Sequence, residues 1–489
     1  MFRRVFIANR GVVARRIVRA CSELGVESVA AYSDLDRAAP HVAEATASAR
    51  LPGYRAADTY VNIERVIAAA KSAGADALHP GYGFLAENPD FASRVAAAGI
   101  AFIGPAPDAI RTFGEKTGAR RHMEQAGFPV APGSELIEDE RALSAAARRI
   151  GWPVMLKPAA GGGGIGMRVA RSEAELVAAF ASAKALAQGA FGNAAVYLEA
   201  LLPNPRHIEL QMLGDGERVR CVGERECSVQ RRHQKVIEEA PAPGVRSGHL
   251  ADIGERAVAA LEATGYTSLG TVETLLAKRR FAFLEVNTRL QVEHGVTEEV
   301  TGLDLVQLQI RLAAGERLDE LLPPERAPLG GCALAEVVND SEPVGQQLRS
   351  NCRRARKGAQ APARFAVQAR IYAEDSRRML PSTGTLSAYR PPRLTGVRVE
   401  AGYAEGQAMT PYYDPLLAKV IGTGATRELA IGRTLVGVKA FEIRGVDTNR
   451  DLLQAILRHP DFLAGKVHTG WLESRLKAAP APAGAPLLL

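Results

Sequence analysis

Arg4 to Ala8 is a short apolar strand pattern, Asn9-Arg10-Gly11 a turn, Val12 to Leu24 a helical run stopped at Gly25, and Ser28 to Tyr32 a second apolar strand pattern. Two strands joined through a helix run parallel, because the crossover returns the chain to the end of the sheet it left. This opening therefore commits the chain to an α/β sheet. The alternation continues through Asp76-Ala77-Leu78-His79 and Ile100-Ala101-Phe102-Ile103-Gly104, so residues 1–112 are expected to form a Rossmann-like domain.

At Lys116 the pattern changes class. Helical runs, a strand pattern at Pro153 to Lys157, a glycine-rich loop and antiparallel-looking strands around 207–229 and 271–287 imply an α+β nucleotide-handling domain over 113–316. Residues 317–363 are rich in Pro, Arg, Gly and Gln with poor periodicity, and read as an unusual insertion or linker on the surface. Strand patterning returns at Phe365 to Ala373, opening a further domain over 364–476, and the alanine- and proline-rich stretch 477–489 is expected to be disordered. A length of 489 residues likewise implies about three domains.

The net charge of +7, from 61 basic and 54 acidic residues, suits anionic substrates as well as nucleic acid. The densest basic run, Arg353-Arg354-Ala355-Arg356-Lys357, has no interleaved aromatic residues for base stacking, so nucleic-acid binding is not expected. Cys21, Cys221, Cys227, Cys332 and Cys352 form neither a zinc pattern nor a disulfide framework, which fits a reducing cytoplasm. No apolar segment has the length of a signal peptide or a membrane span, and a cytoplasmic chain is expected.

Three stretches carry chemistry. The run Ala159 to Met167 follows a strand ending in Lys157, so backbone N–H groups can approach phosphate oxygens while the lysine neutralises them. It has neither the Walker pattern nor a dinucleotide fingerprint, and taken alone it serves equally as a flexible turn. Glu273, Glu285 and Asn287 offer hard oxygen donors from two neighbouring strand patterns, which suits Mg²⁺ completed by phosphate and water, or else a surface salt-bridge pair. Along Asn287 to His294, strand alternation places Arg289, Gln291 and Glu293 on one face, where a cation, an amide and a carboxylate can hold a small planar anion and remove its proton. The polar cluster Arg231 to Lys235 lies near Cys227 and Gln230, with a solvated basic strand edge as its plain alternative.

Taken together these stretches resemble the biotin carboxylases. Ala8-Asn9-Arg10-Gly11, His79-Pro80-Gly81-Tyr82-Gly83-Phe84-Leu85, the glycine loop, Asn204-Pro205-Arg206-His207, Cys227 to Lys235, Glu285 to His294, Gly396-Val397-Arg398 and Pro411-Tyr412-Tyr413-Asp414 occur in that family's order. The resemblance covers residues 4 to about 316 and 365 to about 476. It implies an ATP-grasp central domain with a mobile lid at about 130–203 and a biotin carboxylase C-terminal domain. His294-Gly295-Val296-Thr297-Glu298 is closer to the urea carboxylase branch, and Val12 and Ile165 depart from the usual motifs.

The resemblance also implies roles. Lys116, Lys157, Gly163, Gly164, Glu199, Ala200, Leu201, Leu202 and His207 would contact ATP, with Gln230 and His233 beside it, and Glu273, Glu285 and Asn287 would hold Mg²⁺ or Mn²⁺. Lys235, Arg289, Gln291 and the Val292 backbone would bind bicarbonate, and Glu293 would be its base. Arg398 would stabilise the biotin enolate and meet Glu293 at that end of the site, with Tyr82 near the ring. Biotin would be carried on a separate biotin carboxyl carrier protein, a carboxyltransferase would act in trans, and the chain would form a homodimer. Another carboxylate–amine ligase of the ATP-grasp class would share the phosphate and metal sites but lack the Arg289-to-Glu293 segment, and a silent ATP-binding regulator would have no use for the titratable set.

Overall fold

The computed structural model describes residues 1–137, 139–159, 166–322, 365–375 and 380–478. Five parallel strands form the first sheet: β1 (Arg4–Ile7), β2 (Glu27–Ser33), β3 (Ala47–Leu51), β4 (Ala77–His79) and β5 (Ala101–Phe102), in the order β3-β2-β1-β4-β5. β1 is central and covered on both sides, which is why Val5, Phe6 and Ile7 are all fully buried instead of alternating. The helix Gly11–Glu23 follows it directly, its chain entry made by Gly11 at φ 61°. Gly81 also has φ 67°, and a Cβ there would lie 2.8 Å from Asn9 Nδ2. That close approach lets the Asn9 amide donate to the Pro80 and Tyr82 carbonyls at 2.7 and 2.8 Å, tying the loop that carries Tyr82 to the end of β1.

A small antiparallel sheet follows, β6 (Val154–Pro158) between β7 (Arg168–Ala170) and β8 (Val196–Ala200). It packs with the helices Glu140–Ile150 and Glu173–Phe191 around its own core of Ile137, Leu143, Val154, Leu156, Leu176 and Leu198. A separate core is what a segment needs to move as a unit.

The large sheet has eight strands. They are β9 (Arg206–Asp215), β10 (Val219–Arg231), β11 (Gln234–Ala240), β12 (Thr267–Ala277), β13 (Arg280–Asn287), β14 (Phe365–Tyr372), β17 (Val397–Ala401) and β19 (Leu416–Gly424), in the order β13-β12-β9-β10-β11-β14-β19-β17. Short ladders flank it, β15 (Gly384–Thr385) with β18 (Ala408–Met409) and β16 (Ala388–Arg390) with β20 (Glu442–Arg444). The β11–β14 ladder, with Ile237 opposite Ala369 and Glu239 opposite Val367, makes one sheet out of the stretches read from sequence as 113–316 and 364–476. That edge pairing satisfies backbone groups that two separate sheets would have left exposed.

Part of the expected surface insertion is instead core. Residues 318–321 form a helical turn, and Leu318, Leu321 and Leu322 are buried against the cluster that includes Ile17 and Leu305. A single turn is too short to show a period in the sequence. The remainder of 317–363, with its basic run at Arg353–Lys357, lies outside the described residues, as do 479–489. The helix Trp471–Ala478 runs slightly past the end expected for the last domain. Among the described residues no helix is long and apolar enough to cross a membrane.

Candidate active site

A cavity of about 630 Å³ opens between the three sheets. β9, β10, β11, β12 and β13 form its floor, β6 and β8 its cover, and the loops after β1 and β4 one of its ends.

Lys157 on β6 is paired with Glu199 on β8, both buried. Beyond Glu199 the backbone of Ala200, Leu201 and Leu202 continues along the cavity wall, held by Ala200 N–H to Pro132 O at 2.8 Å and Leu201 N–H to Pro153 O at 3.0 Å. Lys116 opens the helix Lys116–Gln125, and burial lowers its pKa despite Glu285 opposite. Gly163 and Gly164 lie outside the described residues. On the floor, the Gln230 amide is 2.7 Å from His207 Nδ1, and His207 Nε2 lies 2.8 Å from Glu273 Oε2. Arg232 and His233, at φ 47° and 64°, turn the β10–β11 hairpin and bring His233 to the rim.

Glu273 on β12 stands directly opposite Glu285 on β13, and Thr271 opposite Asn287. Cross-strand neighbours on one face have Cβ atoms about 5 Å apart, so their oxygens can share a cation. Asn287 Nδ2 donates to Glu273 Oε1 at 2.7 Å. The Glu285 carboxylate has no hydrogen bond or salt bridge among the described residues, and burial together with the Glu273 charge raises its pKa. Two carboxylates and an amide oxygen, one carboxylate lacking a direct partner, fit a hard divalent cation such as Mg²⁺.

The segment after Asn287 departs from the expected strand. β13 ends at Asn287, residues 288–293 are loop and turn, and a helix begins at His294. The β12–β13 ladder stops at the Thr271–Asn287 pair although β12 itself runs back to Thr267, so no ladder holds the chain extended beyond Asn287. Side-chain bonds hold the loop instead. Arg289 donates to Asn287 Oδ1 and Gln291 Oε1, both at 2.8 Å, and to Glu87 Oε2 at 2.7 Å, while Gln291 Nε2 donates to Glu273 Oε1 at 3.0 Å. His294 Nδ1 lies 2.7 Å from Gln291 O. The predicted group thus meets in one place by a different local structure. A Cβ at Gly295 would lie 2.5 Å from Ile421 Cδ1, so the end of the Ile421 side chain would have to shift to admit one.

Glu293 is 1% exposed and lies between two cations. Lys235 Nζ is 2.9 Å from its Oε1 and Arg370 Nη2 is 2.9 Å from its Oε2. Burial opposes its charge, but Lys235, Arg370 and Arg225 outweigh burial and hold the carboxyl well below the usual carboxylate range. Lys235 also meets Glu273 at 2.8 Å and pairs with Glu209, which in turn takes Arg225 Nε at 2.9 Å. Burial raises the Glu209 pKa, with the nearby Glu293 charge adding to it.

Arg398 is elsewhere. It lies on β17, paired with Glu298 at 2.7 Å, Glu299 at 3.0 Å and Glu400, and it does not line the cavity or touch Glu293. The arginine that meets Glu293 is Arg370 on β14, which also binds Glu238 and lines the cavity together with Tyr82. Both arginines sit in apolar strands, and only the sheet order decides which one faces the site. Arg370 had a sequence signal, since a charge inside the buried pattern Phe365–Tyr372 needs a carboxylate partner. Glu87, two residues past the Gly81–Leu85 motif, and the fully buried Arg225 were also missed.

Three family models match in succession: "Biotin carboxylase, N-terminal domain" over residues 1–110, "Carbamoyl-phosphate synthase L chain, ATP binding domain" over 115–321, and "Biotin carboxylase C-terminal domain" over 368–474. Biotin carboxylase 2 of Bacillus subtilis is 44% identical over 480 residues, 97% of this chain and 100% of that relative. Biotin carboxylase of Pseudomonas aeruginosa is 41% identical over 479 residues, 97% of this chain and 99% of the relative. Among solved structures, the biotin carboxylase domain dimer of Hydrogenobacter thermophilus 2-oxoglutarate carboxylase, with MgADP, ADP and bicarbonate, superposes with a TM-score of 0.86 at 39% identity, covering 97% of this chain and 98% of that one.

Proposed function

The chain belongs to the biotin carboxylase family, and on that premise we propose how its own residues divide the reaction. It is an ATP-dependent ligase that carboxylates carrier-borne biotin with bicarbonate by way of carboxyphosphate. The observation that carries the assignment of roles is the Glu293 carboxylate, spanned by Lys235 and Arg370 at 2.9 Å each, beside the Glu273–Glu285–Asn287 oxygens.

Lys116 and Lys157 neutralise the ATP phosphates, and Glu199, the backbone of residues 200–202, His207, Gln230 and His233 hold the nucleoside. Glu273, Glu285 and Asn287 hold Mg²⁺, which when bound screens the phosphate oxygens from the incoming anion. Bicarbonate sits against Arg289, Lys235, Gln291 and the Val292–Glu293 backbone. An anion there takes up part of the positive charge that holds the Glu293 pKa down, so the base strengthens when its substrate arrives. Glu293 removes the bicarbonate proton, and the resulting oxygen attacks the γ-phosphorus in line, forming carboxyphosphate and releasing ADP. Carboxyphosphate then splits into CO₂ and phosphate, the phosphate takes the biotin N1 proton and N1 bonds to the CO₂ carbon, while Arg370 offers a fixed cation to the ureido oxygen, with Tyr82 against the ring.

We further propose a cytoplasmic homodimer that receives biotin on a carrier protein and passes the carboxyl group to a carboxyltransferase, both acting in trans. The neighbour described as a dimer supports the assembly, and the buried free Cys21, Cys221 and Cys227 suit a reducing compartment. In a coupled assay of ADP release, turnover is expected to require both Mg²⁺ and bicarbonate and to rise with free biotin. Rates that ignore bicarbonate and biotin would overturn the reading.

A further inference from the structure

Lys419 lies off the cavity yet is bonded to the peptide beside Glu293. It projects from β19, is completely buried, and does not line the cavity, whereas Val292 and Glu293 do. Its ammonium is 2.5 Å from Glu400 Oε2 and donates to the Val292 carbonyl at 2.7 Å. A buried ammonium costs several kcal/mol unless paired, and Glu400 provides that pairing. Glu400 already has Arg398, however, so neutralising Glu400 does not call for a lysine. What Lys419 adds is a donor to the carbonyl.

That carbonyl belongs to the stretch 288–293, which has no ladder partner. The 292–293 peptide is trans, so drawing its C=O toward β19 turns the Glu293 N–H the opposite way and fixes where the Glu293 side chain begins. The neighbouring Gln291 carbonyl is held by His294 Nδ1 at 2.7 Å. These two anchors flank the Val292 N–H and precede the Glu293 N–H, the backbone groups assigned above to bicarbonate.

We propose that Lys419 is a positioning residue for bicarbonate activation: it clamps the Val292–Glu293 peptide to the C-terminal strand, so that the base and its backbone N–H present a single geometry to the anion. This rests on the role of Glu293 given above. A displacement of about 1 Å at a reacting group can cost on the order of 100-fold, so loss of the clamp is expected to act on bicarbonate kinetics more than on folding.

The test compares Lys419→Met and the double variant Lys419→Met/Glu400→Gln, which removes the carboxylate along with its partner. ADP release is titrated separately with bicarbonate and with ATP, and each melting temperature is recorded. Bicarbonate half-saturation is expected to rise about ten-fold or more while that for ATP stays within about two-fold. Wild-type values for both substrates would overturn the proposal. So would parallel loss of both substrates with the melting temperature, or failure of both variants to fold, since each marks a purely structural lysine. A wild-type enzyme indifferent to bicarbonate would instead remove the functional reading and this proposal with it.

Discussion

Glu293→Gln is expected to lower bicarbonate-dependent ADP release by roughly 10²- to 10⁴-fold, the range typical of general-base loss. Glutamine keeps the shape and loses the proton acceptor. The fold should tolerate the change, because Lys235 retains Glu209 and Glu273, and Arg370 retains Glu238. Carboxybiotin formation should fall in step with ADP release, since carboxyphosphate precedes it. ADP release and carboxybiotin are measured together with the melting temperature. A folded variant with unchanged bicarbonate-dependent turnover would refute the assignment.

Arg370→Met is expected to cut carboxybiotin formation by about 10²- to 10³-fold, as for removal of a fixed charge facing a developing oxyanion. ADP release should fall less. Arg370 also steadies Glu293, but Lys235 continues to hold the other carboxylate oxygen. Arg398→Met should fail in a different way. It leaves the buried Glu298 and Glu400 carboxylates short of a cation and is expected to lose on the order of 3 kcal/mol of stability. Its remaining partners, Arg16 at Glu298 and Lys419 at Glu400, should preserve the site, so the folded fraction keeps near-normal kinetics. Denaturant midpoints and the ratio of carboxybiotin to ADP on the two variants separate these outcomes. An Arg398→Met enzyme that keeps its stability and loses carboxylation would reverse the two roles.

The sequence by itself determined what local pattern and motif content can carry. The apolar run of β1, the helix stopped at Gly25 and the return at β2 dictated a parallel sheet, because periodicity and turn residues act over a few positions. Lys235, Glu273, Glu285, Asn287, Arg289, Gln291 and Glu293 were legible because they lie in three compact stretches, and all of them line one cavity. The path of residues 288–293 was not legible. Alternation suits a strand, but the ladder with β12 stops at Asn287, and where a ladder stops is decided by the tertiary bonds that take the chain away, here those of Arg289 and Gln291. The choice between Arg370 and Arg398 was hidden for the same reason. Each is a charge in an apolar strand, and facing Glu293 follows from the β11–β14 pairing, a long-range contact that no local pattern encodes. The tertiary structure alone also brought Lys419 to the Val292 carbonyl, because a buried ammonium takes its partners from whatever backbone the packed sheet sets against it.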